Sequence, residues 1–223
     1  MLLLAFDTAT PAVTVALHDG GQPLAQLVTV DAHRHAELLA PAIEQVIADA
    51  GASRRDLTGI AVGVGPGPFT GLRVGLVTAR VLGAALGIPV YGVCSLDIIA
   101  ADTDARGGKN SGKDFLVTTD ARRRELYWAR YDADSRRVHG PEVARPADLD
   151  VAGLSAAGEG PVLYPDVLPD GIGPAYPAAA TLCRITVAAL AAGDPDKLLL
   201  APEPLYLRRP DAREPGAPKR VTK

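Results

Sequence analysis

Apolar stretches alternate with turn sequences at the start of the chain. Three such stretches are separated by turn signals at 8–11 and 19–21, which predicts an antiparallel meander of three strands. The predicted strands are 2–6, 12–17 and 24–30. Over 37–50 apolar residues recur at helical spacing, and Gly51 is placed to end that helix. The pattern therefore predicts a small sheet followed by an amphipathic helix.

A glycine- and proline-rich loop follows the next apolar stretch and leads into a second helix. The stretch 59–64 is short and rich in β-branched residues, as in a strand buried on both faces. Pro66 and Pro68 fix φ and disfavour helix before them, so the loop is stiff. Thr70 is a suitable N-cap, whereas Arg73 in the first turn opposes the helix dipole. Arg73 therefore needs an anionic partner, either a bound anion or a nearby carboxylate.

Small residues recur at every fourth position of the second helix, 71–86. Gly75 and Gly83 weaken this helix by roughly 0.5–1 kcal/mol each, so a close neighbour is expected to require the space. Because the helix is apolar nearly all round, we expect one side on its own sheet and the other on a neighbouring helix or a second protein. With the apolar face of the preceding helix, this predicts a partner interface, the alternative being the internal core. The interface residues are Leu39, Ile43, Val46, Gly71, Leu72, Gly75, Leu76, Ala79 and Gly83.

The pattern of elements then repeats. A strand at 88–93 and a short helix at 96–101, capped by Ser95, complete the order βββαβαβα. A linker by composition, 103–113, precedes a second set of elements. That set comprises strands at 115–119, 125–131, 137–143 and 154–157 and helices at 147–149, 162–168 and 177–192. The predicted units are a first half at 1–104, a second half at 105–208 and a disordered basic tail at 209–223.

Composition and charge narrow the classes of function. The 223 residues are 48% hydrophobic with a net charge of −3, which fits a globular α/β protein without a general attraction to nucleic acid. Cys94 and Cys183 form no CxxC pair, which favours a reducing cytoplasm. The start of the chain lacks the basic region of a signal peptide, and no uncharged run approaches the ~20 residues of a membrane span. We therefore expect a cytoplasmic location.

The loop after 59–64 matches neither common nucleotide motif. A P-loop requires Gly-Lys-Ser/Thr at the helix start, where this chain has Gly71-Leu72-Arg73. The dinucleotide fingerprint also fails, because one residue too many separates its last two glycines. No Ser/His/Asp or Cys/His arrangement of a nucleophilic enzyme is visible.

Three polar clusters have both a functional and a structural interpretation. His33 and His35, with Glu37 close by, show no evident third ligand for zinc, so a role at the helix start is favoured. The arginines at 122–124 either contact nucleic-acid phosphates or form a solvated turn. Asp7 ends a strand beside a turn, where a carboxylate bonds turn amides as readily as it performs acid–base chemistry.

Two βββαβαβα halves around a cleft resemble the two-domain α/β superfamily of acetate and sugar kinases, Hsp70 and actin (the ASKHA fold). Five short motifs, spread from the first strand to position 208, sharpen this resemblance to the TsaB (YeaZ) family. The motifs are AFDTATP at 5–11, RHAELLAP at 34–41, GPGPFTGLRVG at 65–75, DARR at 120–123 and PLYLR at 204–208.

The resemblance implies a bacterial cytoplasmic subunit of the machinery that transfers threonylcarbamoyl to tRNA. The modified base is the adenosine next to the anticodon in tRNAs that read codons beginning with A. Catalysis is assigned to a paralogue, TsaD, with which the non-catalytic subunit forms a heterodimer that an ATPase, TsaE, also joins. The resemblance further implies contact with tRNA through the complex, a homodimer in isolation, no cofactor and no membrane contact.

Departures from the superfamily motifs agree with this division of labour. Kinases of the superfamily carry Asp-x-Gly-Thr in the first hairpin, and here Ala9 and, in the second half, Arg122 occupy the glycine places, which predicts obstructed phosphate loops. Ser95 and Ile99 stand where the paralogue has two metal-binding histidines, so no metal site is predicted. The candidates for a weak anion or nucleotide contact are Asp7, Thr8, Thr10, Thr70 and Arg73. The alternatives are a small-molecule phosphotransferase of the same fold and, third, a peptidase.

Overall fold

A computed structural model describes residues 1–105, 113–193 and 199–208 of the chain. The first half forms a five-stranded sheet with the strand order β3-β2-β1-β4-β5. Its strands are β1 (Leu3–Asp7), β2 (Ala12–His18), β3 (Pro23–Val30), β4 (Gly59–Gly63) and β5 (Val90–Val93). The first three strands are the predicted antiparallel meander, and β4 and β5 run parallel to β1. Every residue of β1, β2 and β4 is buried, because helices cover both faces of this sheet.

Helices α1 (His35–Asp49) and α2 (Phe69–Leu86) cover one face of the first sheet. Their apolar sides meet the side chains of Leu4, Phe6 and Ile60 in one continuous core. The opposite face, with Leu3, Ala5, Ala16 and Ala61, packs against α5 (Ala179–Ala191). Helix α5 thus belongs to the predicted second half in sequence but packs on the first sheet, whereas the division of the chain at 104 stays a prediction.

The second half is a four-stranded sheet with the order β8-β7-β6-β9. Its elements are β6 (Phe115–Asp120), β7 (Leu126–Tyr131), β8 (Arg137–Ala144), β9 (Ser155–Gly158) and the short helix α4 (Gly160–Leu163). Helix α3 (Ser95–Ala105) joins the halves, because Leu96, Ile99 and Ala100 pack against Phe115 and Tyr131 of the second sheet. Strands β6 and β9 are parallel, as β1 and β4 are in the first half.

The second half departs from the predicted repeat. After β9 it continues with α4 and α5, and the described residues contain no further strand of the second sheet. The helix predicted at 162–168 is the single turn Gly160–Leu163, and the one predicted at 147–149 is the 3₁₀ turn Pro146–Asp148. The predicted linker overlaps the end of α3; its positions 106–112, like the predicted tail at 209–223, lie outside the described residues.

Two predicted helix caps are wrong. Helix α2 begins at Phe69 directly after Pro68, without a side-chain cap, so Thr70 lies inside its first turn. Helix α3 begins at Ser95, whose hydroxyl donates a hydrogen bond to Asp7 instead of capping its own helix. In both cases neighbouring strands and loops fix the start of the helix, so no local cap is required.

The nine residues assigned from sequence to a partner interface are all buried in this chain. The small residues of α2 make room for the chain's own first half. A Cβ at Gly71 would lie 2.8 Å from the Thr8 carbonyl oxygen, and one at Gly83 would overlap the Val90 side chain. This placement agrees with the alternative of an internal core, whereas the assignment to a partner interface stays a prediction. Val77 and Val81 are exposed on another side of α2.

By length and composition α2 is the one described helix that could also cross a membrane. Its buried side includes Leu72, Leu76 and Ala79, which belong to the core of the first half. Packing of this kind is what a core helix of a globular protein shows, and it accounts for the apolar sequence.

Gly75→Leu is expected to lower the free energy of unfolding by roughly 1–3 kcal/mol, because overpacking forces strain into a filled site. A Cβ at this position would lie 2.5 Å from the Thr8 hydroxyl. Val81→Leu, on the exposed side of the same helix, is the matched control and should leave stability nearly unchanged. Urea unfolding of both variants measures this; equal stability of the two proteins would show that the groove is not filled from within.

Candidate functional site

The carboxyl ends of the parallel strands meet between the two halves. In the first half β1 ends at Asp7, and β5 is followed by Ser95. In the second half β6 ends at Asp120, and β9 is followed by Glu159. Open α/β sheets bind ligands at such ends, so this region is the candidate site.

Asp7 is fully committed to hydrogen bonds within the chain. Its carboxylate accepts from the Ala9 backbone N–H at 2.7 Å and from the Ser95 hydroxyl at 2.5 Å. The Ser95 oxygen in turn accepts from the Gly65 N–H at 3.2 Å. Burial raises the pKa of the Asp7 carboxyl, and the bond from Ser95 opposes that rise in part. A Cβ at Gly63 would overlap the carboxylate, so this contact needs glycine there.

Thr8 lies against the first turns of α2. Its hydroxyl donates to the Gly71 carbonyl at 2.8 Å and accepts from the Gly75 N–H at 3.0 Å. The Gly71 carbonyl and the Gly75 N–H are four residues apart, the spacing at which an α-helix pairs a carbonyl with an N–H. The Thr8 hydroxyl therefore contacts both groups of one such pair. The contact ties the turn between β1 and β2 to α2.

The space between the first hairpin and the loop after β4 is filled by the chain itself. Ala9 is buried, and its backbone lies so close to Gly67 that a Cβ on this glycine would overlap the Ala9 carbonyl oxygen. The Tyr127 hydroxyl of the second half donates to the Gly67 carbonyl at 3.4 Å, a long hydrogen bond. Both contacts hold the loop between β4 and α2 against the first hairpin.

A cleft of about 340 Å³ opens beside this contact, between the first hairpin, the starts of α1 and α2, and the second half. Three of the five predicted anion contacts, Thr8, Thr10 and Thr70, line it. The remaining lining residues are Pro11, Ala32, His33, His35, Pro68, Phe69, Gly71 and Arg122. His35 begins α1, as its helix-start interpretation predicts, and its Nε2 is 2.8 Å from the Thr10 carbonyl oxygen. The cleft can therefore present the exposed Thr70 hydroxyl and the Arg122 guanidinium to a small ligand, whereas the Thr8 hydroxyl is bonded to α2.

Asp7 and Arg73, the other two predicted anion contacts, do not line the cleft. The Arg73 guanidinium lies 3.7 Å from the centre of the Phe69 ring. Its Nε donates to the Tyr206 hydroxyl at 2.8 Å, and the Phe69 and Tyr206 rings stack at 5.5 Å. The Arg73 cation thus contacts an aromatic ring and a hydroxyl. Neither of the two partners that the sequence suggested, a bound anion or a carboxylate, is this pair of groups.

Glu159 is the notable residue that sequence reasoning missed. It is buried at the end of β9, where its carboxylate accepts a long bond of 3.3 Å from the Asp120 N–H. Burial and the neighbouring Asp120 charge raise the pKa of Glu159 from 4.5 to about 7, against a smaller lowering effect of that backbone bond and of Arg122. Nothing in the local sequence distinguishes this glutamate from a surface one, because only the pairing of β6 with β9 brings it beside Asp120.

Arg122 pairs with Asp120 at 3.2 Å at the rim of the same region. The residues 122–124 all have positive φ, and they turn the chain from β6 into β7. Arg208 anchors this turn by donating to the Ala121 carbonyl at 3.0 Å and by an ion pair with Glu125. The motifs at 120–123 and 204–208 therefore contact each other.

The described residues contain no group of three or more His, Cys, Asp or Glu side chains placed to hold a metal. Ser95 is bonded to Asp7, and Ile99 is buried in the core between α3 and the second sheet. Cys94 and Cys183 are free and buried, and burial raises the pKa of each thiol to about 12. Such thiols are poor nucleophiles at neutral pH.

Comparison with known proteins places this arrangement in a family. Residues 28–164, more than half of the chain, match the family described as TsaD, tRNA N6-adenosine threonylcarbamoyltransferase. An uncharacterised protein of Mycobacterium tuberculosis is 48% identical over 95% of this chain and 93% of its own length. The Escherichia coli tRNA threonylcarbamoyladenosine biosynthesis protein TsaB is 36% identical over 64% of this chain and 60% of its own length.

Solved structures agree with the sequence relatives. YeaZ from Pseudomonas aeruginosa has a TM-score of 0.76 at 29% identity, covering 92% of this chain and 99% of that chain. A second Pseudomonas aeruginosa structure, described as similar to peptidase YEAZ, has a TM-score of 0.78 at 29% identity over 93% and 99% of the two chains. Fold and site thus define an α/β protein with two sheets and the fold of the YeaZ structures. Within that class, the chain belongs to the TsaB (YeaZ) family.

Glu159→Gln is expected to change how stability depends on pH. The pKa of Glu159 in the folded state is raised, so folding favours its neutral form. The neutral carboxyl therefore contributes fully to stability below about pH 4.5, and this stability is lost as the pH rises through about 7. The glutamine variant should therefore gain stability relative to the parent by roughly 2–3 kcal/mol between pH 4.5 and pH 8.

Chemical unfolding of both proteins at several pH values measures this difference. Glu203→Gln is a suitable control, because Glu203 carries the same charge outside this cluster. A constant difference between the Glu159→Gln variant and the parent across the range would contradict the prediction.

Proposed function

We propose that this chain is a non-catalytic subunit of tRNA threonylcarbamoyladenosine biosynthesis that binds and activates a catalytic TsaD-type paralogue. The observation that carries the proposal is the closed first hairpin. Ala9 is packed on Gly67, and Asp7 is bonded to Ser95 and to the Ala9 amide, so neither is free for phosphate or metal. When the Asp7 carboxylate and the Ala9 backbone are occupied in this way, the chain is better suited to positioning a partner than to carrying out the transfer reaction itself.

The sequence relatives of this chain support a role in the biosynthesis of threonylcarbamoyladenosine in tRNA. Proteins named for tRNA threonylcarbamoyladenosine biosynthesis in Escherichia coli and Bacillus subtilis are 36% and 31% identical to this chain over the matched regions. By that likeness, the reaction assisted by this chain is transfer of threonylcarbamoyl to N6 of the adenosine adjacent to the anticodon. The ATPase TsaE and tRNA then join through the complex, in the cytoplasm.

The exposed side of α2 is the proposed docking surface for the paralogue. Val77 and Val81 lie one turn apart and are largely exposed, and Phe69 lies two turns before Val77 on the same side. Arg73 lies between them, held against Phe69 and Tyr206. An apolar strip with an ordered arginine and two aromatic rings has the composition of a binding hot spot.

Small-molecule phosphotransfer is the alternative for the same fold. The cleft lined by Thr70 and Arg122 offers donors to an anion, but the closed hairpin leaves the usual phosphate position occupied. The alternative therefore requires a different binding mode from that of the superfamily kinases.

Loss of this protein is expected to remove threonylcarbamoyladenosine from tRNA, although the chain forms no bond itself. Nucleoside mass spectrometry of a deletion strain, with and without a plasmid copy, measures the modification. Normal levels in the deletion strain would contradict the proposed pathway.

Val77→Lys combined with Val81→Lys is expected to weaken binding to the paralogue by tenfold or more, about 1.4 kcal/mol, because charge is placed in an apolar contact. Both side chains are exposed, so the variant should unfold like the parent. Val28→Lys, on a distant strand, is the control. Titration calorimetry with the paralogue reports the affinities; parent-like affinity in the double variant would remove this side of α2 from the interface.

A further inference from the structure

A second cavity, of about 450 Å³, lies on the face of the second sheet that is turned away from α3. Its wall is formed by Asp114, Leu116, Trp128, Arg130, Asp132, Val138, His139 and Asp150. Asp114 directly precedes β6, whereas Asp120 ends this strand beside the cleft between the halves, so the two places are about 20 Å apart along the strand. The cavity is therefore separate from the site described above.

A β-bulge in β8 brings His139 to this face of the sheet. Strand β7 has one residue between Trp128 and Arg130, whereas β8 has two between their partners, Glu142 and His139. In a regular ladder residue 140 would lie opposite Arg130, so the extra residue moves His139 to the side that Trp128 and Arg130 share. Gly140 has a φ of 84°, and a Cβ there would lie 2.9 Å from the Trp128 carbonyl oxygen. Bulges of this kind re-aim side chains and are frequent beside functional sites.

The Trp128 indole and the His139 ring form the aromatic part of the wall. The two rings stack with their centres 5.1 Å apart, and His139 Nε2 lies 3.3 Å from the Glu142 carboxylate. The indole N–H is buried and has no hydrogen-bond partner in the part of the chain that the structure describes. An unpaired buried donor is unfavourable for folding, so hydrogen bonding does not account for a tryptophan at this position. Trp128 thus contributes ring surface to the cavity.

The charged part of the wall has an excess of carboxylates. The Arg130 guanidinium is paired with Asp114, to which its Nε and Nη2 donate at 3.0 and 2.9 Å. Asp132 accepts two N–H groups of the following turn with Oδ1 alone. Asp150 is exposed and has no hydrogen bond or ion pair among residues 1–105, 113–193 and 199–208. Two carboxylates, those of Asp132 and Asp150, are therefore available to a ligand.

We propose that this cavity binds an alkyl guanidinium group, either of a free compound or of an arginine side chain on another protein. Aromatic rings attract a cation to their faces, and a planar guanidinium fits a carboxylate through two parallel hydrogen bonds. Leu116 and Val138 supply apolar contact for the alkyl part, and Asp132 and Asp150 supply the carboxylates. An ammonium group is compact and strongly hydrated and stacks less well on a ring, so the combination favours guanidinium.

This binding site does not depend on the proposed function. Helix α2, the proposed docking surface for the paralogue, packs on the first sheet, whereas the cavity belongs to β6, β7 and β8 of the second. A guanidinium group in the cavity therefore leaves the exposed side of α2 accessible.

Tryptophan fluorescence of the full chain tests the proposal, because Trp128 is the single tryptophan and lines the cavity. The probes are N-acetylarginine amide, its neutral isostere N-acetylcitrulline amide, and agmatine as a free guanidinium compound. We expect a saturable change with a guanidinium probe and an affinity about tenfold lower for the citrulline compound. Binding of N-acetylarginine amide identifies an arginine side chain as a sufficient ligand, and binding of agmatine alone identifies a free compound.

Asp150→Asn removes one available carboxylate and is expected to weaken binding of the guanidinium probe by roughly threefold to fivefold. Asp148→Asn is the matched control, because Asp148 is also exposed, lies two positions earlier and does not line the cavity. It should bind like the parent. Both variants keep Trp128, so the same fluorescence titration reports their affinities, and thermal unfolding checks that both fold like the parent.

Absence of a saturable change with both guanidinium probes would overturn the proposal. Equal affinity for the citrulline compound would also overturn it, because the charge would then play no part, as would parent-like affinity of the Asp150→Asn variant. The nucleoside analysis and the paralogue titration described above do not involve this cavity, so failure of this proposal and failure of the proposed function are distinguishable.

Discussion

Burial of the Asp7 carboxylate against the Ser95 hydroxyl is the contact on which the first half depends. It joins the end of β1 to the start of α3, and the Gly65 amide adds the loop after β4. Thr8, the next residue, bonds the first turns of α2. The end of β1 thus holds the chain's own loops and helices in place.

Because the region around Asp7 is filled by the chain itself, the proposed function depends on the outer surface of α2. The glycines of α2 are small because Thr8 and Val90 lie against them, and the exposed valines of the same helix face solvent. Helix α2 therefore serves two purposes on two sides, an internal core and an external apolar strip.

Much of the fold could be predicted from the sequence, because its strongest signals are local. The period of apolar residues located α1 and the turn signals located β1 to β3, to within a few residues of the structure. The resemblance of five motifs to one family agreed with the comparisons. The predictions that failed depend on contacts between residues far apart in the sequence. The apolar stripe of α2 could not reveal which side faces its own sheet, and Thr70 and Ser95 resemble caps although neighbouring elements already fix those helices.

The site was predictable in part for the same reason. Thr8, Thr10 and Thr70 do line one cleft, whereas Asp7 and Arg73 are held by Ser95 and by Phe69 with Tyr206. These partners lie 88 and 133 positions away in sequence for the Ser95 and Tyr206 bonds, beyond the reach of any local pattern. Glu159 acquires its raised pKa only through strand pairing, which residue types alone do not encode.

Under the proposed function this chain does not perform chemistry on a nucleotide by itself, because its first hairpin is closed. Isothermal titration of the isolated, tag-free protein with ATP and Mg²⁺, followed by an assay for ADP, tests it most directly. The account predicts neither tight binding nor turnover. Tight binding accompanied by ADP formation would contradict it and would favour a phosphotransferase of the same fold.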